Sequence, residues 1–142
     1  MTTFDPNAVR AQIKTLITTA PEIAYVYDYA NPDIEGFPAV ILDISSEQSE
    51  MFDDSGNLRT IQFTIWIIQE ISTAGEQTAK SQLDAAVKSV VGILEKKSND
   101  TLSGTVDWIM PVMGRRSHIA TPSGAAFMQE LLLSAKVYSS IL

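Results

Sequence analysis

Two runs of 14 residues, Ala39–Phe52 (AVILDISSEQSEMF) and Leu58–Ile71 (LRTIQFTIWIIQEI), flank the polar segment Asp53-Asp54-Ser55-Gly56-Asn57. Neither run contains Pro or Gly, and Ile, Val, Thr, Phe and Trp dominate the pair. That composition favours strand, and a short Gly-containing link is hairpin chemistry. At roughly 3.3 Å per residue each arm reaches about 45 Å, whereas strands usually run to about 5–6 residues. A chain of 142 residues has little core with which to cover such arms. Part of the hairpin is therefore expected to project and meet another molecule, which points to an assembly protein and away from an enzyme.

A symmetric register gives the hairpin two different ends. At the base, Val40, Leu42 and Ile44 oppose Trp66, Ile68 and their neighbours, while Ile65, Ile67 and Ile71 fill the other face. Both faces are apolar there, so both are expected to be covered. Toward the tip, Ser46, Gln48 and Glu50 pair with Thr64, Gln62 and Thr60 to form a solvated face. The opposite tip face carries Met51, Ile61 and Phe63 beside Glu47 and Arg59. Two readings of that stripe stand: it continues onto the chain's own core, or it is a docking surface.

Composition narrows the class. One domain spanning residues 1–142 is expected at this length. With 45% hydrophobic and 19% charged residues the chain reads as globular, and its longest apolar stretches fall far short of a membrane span. The opening MTTFDPNAVRAQ has no basic region followed by an apolar core, so no secretory leader is expected. There is no cysteine, which excludes disulfides and thiolate chemistry. Net charge is −7, and between Lys14 and Arg59 nine carboxylates stand without a single Lys or Arg. Such a stretch repels phosphates and argues against a DNA-wrapping surface. It equally suits an ordinary solubilising surface, or one past which DNA slides without sticking.

The remaining elements follow from periodicity. Asp5 as N-cap, Pro6 at the first helical position and the stripe Val9, Ile13, Leu16, Ile17 predict a helix ending before Pro21. A strand is expected at Ile23–Tyr29, then turn chemistry through Ala30–Pro38. Thr73 and Glu76 have capping-box spacing, and Ala79, Leu83, Ala86, Val87, Val90 and Leu94 mark one face of a helix over Ala74–Lys97. Thr105–Met113 reads as a strand, and Pro111 makes it an edge strand or a bulged one. Gly114–Gly124 reads as a polar loop and Ala125–Ser139 as a long final strand. The expected fold is α+β, in the order α-β-β-β-α-β-β: two helices on a mostly antiparallel sheet with a long β-hairpin.

Nothing in the chain supports catalysis. His118 is the only histidine; Ser117 beside it makes no triad, and there is neither a G-x-S-x-G elbow nor an H-E-x-x-H helix. The tip loop FDDSGNL lacks calcium-loop spacing, and Glu76, Asp84 and Glu95 read as a solvated helix face. No metal or other cofactor is expected. Arg115-Arg116 is the only basic pair in the expected strand-to-strand loop. It could touch phosphates, but in an acidic chain that oligomerises, a neighbouring subunit's carboxylates are the favoured contact.

The order of elements, the strand GFPAVIL at Gly36–Leu42, the alternating run Arg59-Thr60-Ile61-Gln62-Phe63-Thr64-Ile65-Trp66-Ile67, and the helix Leu83…Val87…Val90…Leu94 followed by Leu102-Ser103-Gly104 form a pattern. It resembles the tail terminator (tail completion) proteins of long-tailed bacteriophages, over nearly the whole chain. The resemblance implies a ring, usually a hexamer, that caps the last tail-tube ring, stops polymerisation and meets the head-side connector. The implied location is the virion tail or neck, after assembly in the host cytoplasm. Implied partners are further copies of the chain, the tube protein and the connector, with DNA passing through the lumen without specific binding and no membrane involved. The family's function is geometric, so no catalytic residue carries over. Met51, Arg59, Ile61, Phe63, Arg115 and Arg116 are the expected interface residues. A head-completion or stopper protein is the alternative within phage assembly, and a small α+β ligand-binding module or enzyme the alternative outside it.

Overall fold

Apolar side chains spaced by four put Val9, Ile13 and Ile17 on one side of helix α1 (Pro6–Thr18), and all three are fully buried. The helix closes where Thr19 and Ala20 donate to the Leu16 and Ile17 carbonyls, one residue before Pro21. A computed structural model of the chain describes residues 6–27, 36–53, 56–71, 75–99, 101–102, 106–121 and 124–140. At 6, 44–53, 56–57, 121, 139 and 140 it describes the backbone alone. Asp5, the expected N-cap, lies outside the described residues.

Among the described residues five strands form one sheet in the order β1-β2-β3-β5-β4. They are β1 (Tyr25–Tyr27), β2 (Ala39–Asp53), β3 (Gly56–Ile71), β4 (Trp108–Thr121) and β5 (Gly124–Ser140). Only β1–β2 is parallel, joining Tyr25–Tyr27 to Ala39–Ile41; every other neighbour is antiparallel. With helix α2 (Glu76–Glu95) the molecule is an α+β protein in the expected order, and a 3-10 turn follows at Lys97–Asn99.

The hairpin formed by β2 and β3 is as long as expected, but it does not project alone. β3 pairs with β5 along its whole length, from Gly56 opposite Ser140 to Ile71 opposite Ala125. Its register also departs from the symmetric one. Ser46 faces Gln62, Gln48 faces Thr60 and Glu50 faces Leu58. Two local features cause the slip at the tip: Asp53 already pairs with Gly56, and the ladder shifts between Met51 and Asp53; a further shift between Ile44 and Ser46 displaces the base.

Both helices lie on one face of the sheet. The six predicted positions of α2 (Ala79, Leu83, Ala86, Val87, Val90 and Leu94) are buried against Val40, Leu42, Ile61, Phe63, Ile65 and Ile67 of β2 and β3 and Leu131, Leu133, Ala135 and Val137 of β5. Complete burial of a large aliphatic side chain is worth about 1.5–3 kcal/mol, so this stripe is what holds the layer together. The helix begins two residues later than expected. Its N-cap is Gly75 at φ 94°, with no side-chain cap; Thr73 lies outside the described residues.

The largest correction concerns Gly114–Gly124. Most of it is strand, since β4 runs on to Thr121 and β5 begins at Gly124. Its polarity reads as a loop, but an edge strand can expose polar side chains while its backbone stays paired. The ladder survives because Gly114 and Arg115 bulge out between the pairs Met113–Leu131 and Arg116–Gln129. A Cβ at Gly114 would stand 3.0 Å from three Glu130 side-chain atoms, so any larger residue there makes the Glu130 side chain give by a few tenths of an ångström.

Candidate interaction surface

Alternation along β4 and β5 assigns each side chain to a face. Ile109, Pro111 and Met113 pair with Ala135, Leu133 and Leu131 of the helix-covered face, whereas Trp108, Met110 and Val112 pair with Lys136, Ser134 and Leu132 of the opposite face. On the opposite face Met110 and Val112 are 52% and 50% exposed and Trp108 is exposed as well, while on the helix side Met113 is 52% exposed. One short segment thus presents apolar side chains to solvent on both of its faces. Its start is well moored. The Lys136 ammonium sits 5.1 Å from the Trp108 ring centroid, and the Asp107 carboxylate accepts from the Tyr138 amide at 2.5 Å.

The opposite sheet face carries no helix among the described residues. Ile41, Ile68 and Ala126 are buried there by one another and by the partly buried Tyr27, Phe37, Trp66, Ile119 and Met128. The expectation that the hairpin base is covered on both faces is met by helices on one side only; on the other, neighbouring side chains shield each other.

Among the described residues each lateral border of the sheet is also open. β4 is the last strand at one border. At the other, β1 borders β2 only along Ala39–Ile41, and among the described residues no strand borders β2 from Leu42 to Asp53. The borders differ in charge: β2 carries Asp43, Glu47, Glu50 and Asp53 with no Lys or Arg, while β4 carries Arg115 and Arg116 with no acid.

The expected interface residues separate. Ile61 and Phe63 are both 0% exposed, inside the core that packs under the helices. In the folded chain they are core and not a docking surface, because they are buried in one cluster with Leu83, Val87 and Val90 of α2 and Leu133, Ala135 and Val137 of β5. Met51 pairs with Asn57 near the hairpin tip, and its side chain lies outside what is described. Arg59 is half-buried on β3. Arg116 is held inside its own chain: it meets the Asp84 carboxylate of α2 at 2.6 Å and donates from Nε to Gln129 Oε1 at 3.0 Å. The buried Gln129 in turn donates to the carbonyls of Gly114 and Glu130. Arg116 thus ties α2 to β4 beside the bulge, which the adjacency of two arginines could not reveal. Arg115, in the bulge, is exposed. His118 is exposed too and meets Phe127 edge-on at 5.4 Å.

Two clefts flank α2. One of about 270 Å³ is lined by Glu22, Phe37, Pro38, Gln69, Gln82 and Ala85; the buried Gln69 Oε1 has no hydrogen-bond partner. The other, of about 460 Å³, runs past Glu22, Lys88, Ser89 and Lys96. His118 lines neither cleft. Among the described residues no three His, Asp or Glu side chains are grouped to hold a metal ion, and no helix is long and apolar enough to cross a membrane.

The fold and this surface define an α+β protein whose sheet, among the described residues, is roofed by helices on one face and open at both lateral borders. No family model matches the chain, and no curated protein matches it. Among solved structures it is similar to a chain of the "Virion of native gene transfer agent (GTA) particle", with 18% sequence identity and a TM-score of 0.47, covering 94% of this chain and 93% of that one. A likeness of that degree carries no argument about what this chain does.

Proposed function

We propose that this chain is a structural protein of a phage-type virion, acting at the tail or neck as a ring that caps the tail tube, ends its polymerisation and joins it to the head-side connector. The observation that carries the reading is the outer part of β4, where Met110, Val112 and Met113 stay half exposed on both faces of a border strand. Exposed apolar clusters on border strands invite association unless something covers them. The resemblance to tail terminator proteins supplies the geometry, a closed ring of copies, usually six, with Arg115 and the hairpin tip around Met51 as candidate contacts. The stretch of nine carboxylates without a base suits a lumen that passes DNA without holding it.

Native mass measurement of the chain, alone and mixed with purified tail tubes, tests this. The expected result is a closed oligomer at tube ends and tubes that stop lengthening. A chain that remains monomeric while tubes continue to polymerise overturns it.

A further inference from the structure

We infer that β4 of one copy lies antiparallel beside the outer border of β2 in the next, Trp108–Met113 against the Leu42–Asp53 stretch, so that successive sheets join head to tail. This rests on the ring reading above and adds which surfaces close the ring and with what partner: a second copy of this chain.

Three observations converge on that contact. The first is exposure. A partner laid on one sheet face would cover Met110 and Val112 but leave Met113, which belongs to the other face, in water. A strand added beside β4 brings side chains alongside both faces at once. The second is direction. β4 runs antiparallel to β5, β5 to β3 and β3 to β2, so β2 and β4 run oppositely. Rotation about an axis along the strands preserves these directions, and β4 therefore meets a neighbour's β2 as an antiparallel pair. The third is charge. The β2 border carries carboxylates and no base, the β4 border bases and no acid, and in this register Asp43 stands level with Val112 as the border carboxylate nearest Arg115. Two like borders would gain no such complementarity.

The chain also limits the contact. Pro111 offers no N–H, and the bulge at Gly114-Arg115 interrupts the ladder, so the paired stretch is short. Its position is specific as well. Through β5 and β3, Trp108–Met113 stands level with Gln48–Leu42, beyond the three residues where β1 occupies the border. Edge pairing is thereby directed to the half of each border that is open among the described residues.

Absence of cysteine makes the test clean. Ser46→Cys on β2 and Met110→Cys on β4 are made singly and together, with Gln48→Cys and Val112→Cys as alternates that allow for register or for a variant that fails to fold. Within one copy positions 46 and 110 are separated by β3 and β5, about 14 Å across three strand spacings, beyond disulfide reach. On oxidation in the assembled ring, a double variant should give a covalent ladder extending to the ring size, and each single variant none. Arg115→Glu and Asp43→Lys should each weaken assembly about two- to five-fold per contact, and the combination should recover it. Rings that cap tubes normally but cross-link in no double variant overturn the pairing while leaving the ring reading intact. Cross-linking of Met110→Cys alone shows like borders meeting and overturns it too. Failure to assemble at all removes both.

Discussion

At the scale of single residues, the decisive positions are those whose neighbours come from distant sequence. Phe63 reads equally as core or contact from its strand alone, and its complete burial assigns it to the core. Phe63→Ala should cost about 3–5 kcal/mol, measured by urea unfolding, with assembly lost only as folding is lost. A variant that unfolds at the same urea concentration as the parent but no longer assembles would return Phe63 to the interface. Arg116 differs because its partners have unequal surroundings. Asp84 is well exposed, so its ion pair with Arg116 should contribute less than about 1 kcal/mol. Gln129 is buried, and losing its guanidinium donor leaves an acceptor short of a partner. Arg116→Ala should therefore destabilise more than Asp84→Ala, and equal unfolding midpoints would contradict the Gln129 role.

At the scale of elements, α2 offers two glycines with opposite expectations. Gly92 lies within the helix, exposed, with nothing within 4 Å of where a Cβ would stand. Gly92→Ala should stabilise by roughly 0.5–1 kcal/mol, because alanine loses less backbone freedom on forming helix. Gly75 caps the same helix at φ 94°, a conformation that L side chains rarely adopt, although space for a methyl is open there too. Gly75→Ala should destabilise by about 1–2 kcal/mol. Thermal melts of the two variants should thus move in opposite directions, and a rise for both would place the cap elsewhere.

At the scale of the whole molecule, the disposition of charge bears on DNA. With Arg116 engaged to Asp84 and Gln129, Arg115 is the member of the pair left to face a partner. A ring would repeat it at every subunit, yet it would also repeat the acidic stretch before Arg59. The assembled protein should bind duplex DNA poorly even at low salt, since grip on DNA requires several phosphate contacts per site. Filter binding at two salt concentrations checks this. Sub-micromolar, salt-sensitive affinity that vanishes in Arg115→Ala would assign that arginine to DNA and end the non-sticky lumen.

Local periodicity alone determined much of this protein. Spacing marked Val9, Ile13 and Ile17, and all six buried positions of α2. Alternation marked the hairpin arms and the final strand, and Pro111 marked β4 as a border. These signals are legible because they depend on 3.6- and 2-residue repeats within a few turns of chain. Alternation states which residues share a face, but not which face a helix will cover. Only the tertiary structure decided that both helices take the Ile61–Phe63 side, that β5 accompanies β3 to the hairpin tip, and that a bulge at Gly114-Arg115 turns an apparent loop into strand. Each of these rests on contacts between segments far apart in sequence, whose energies no local pattern contains.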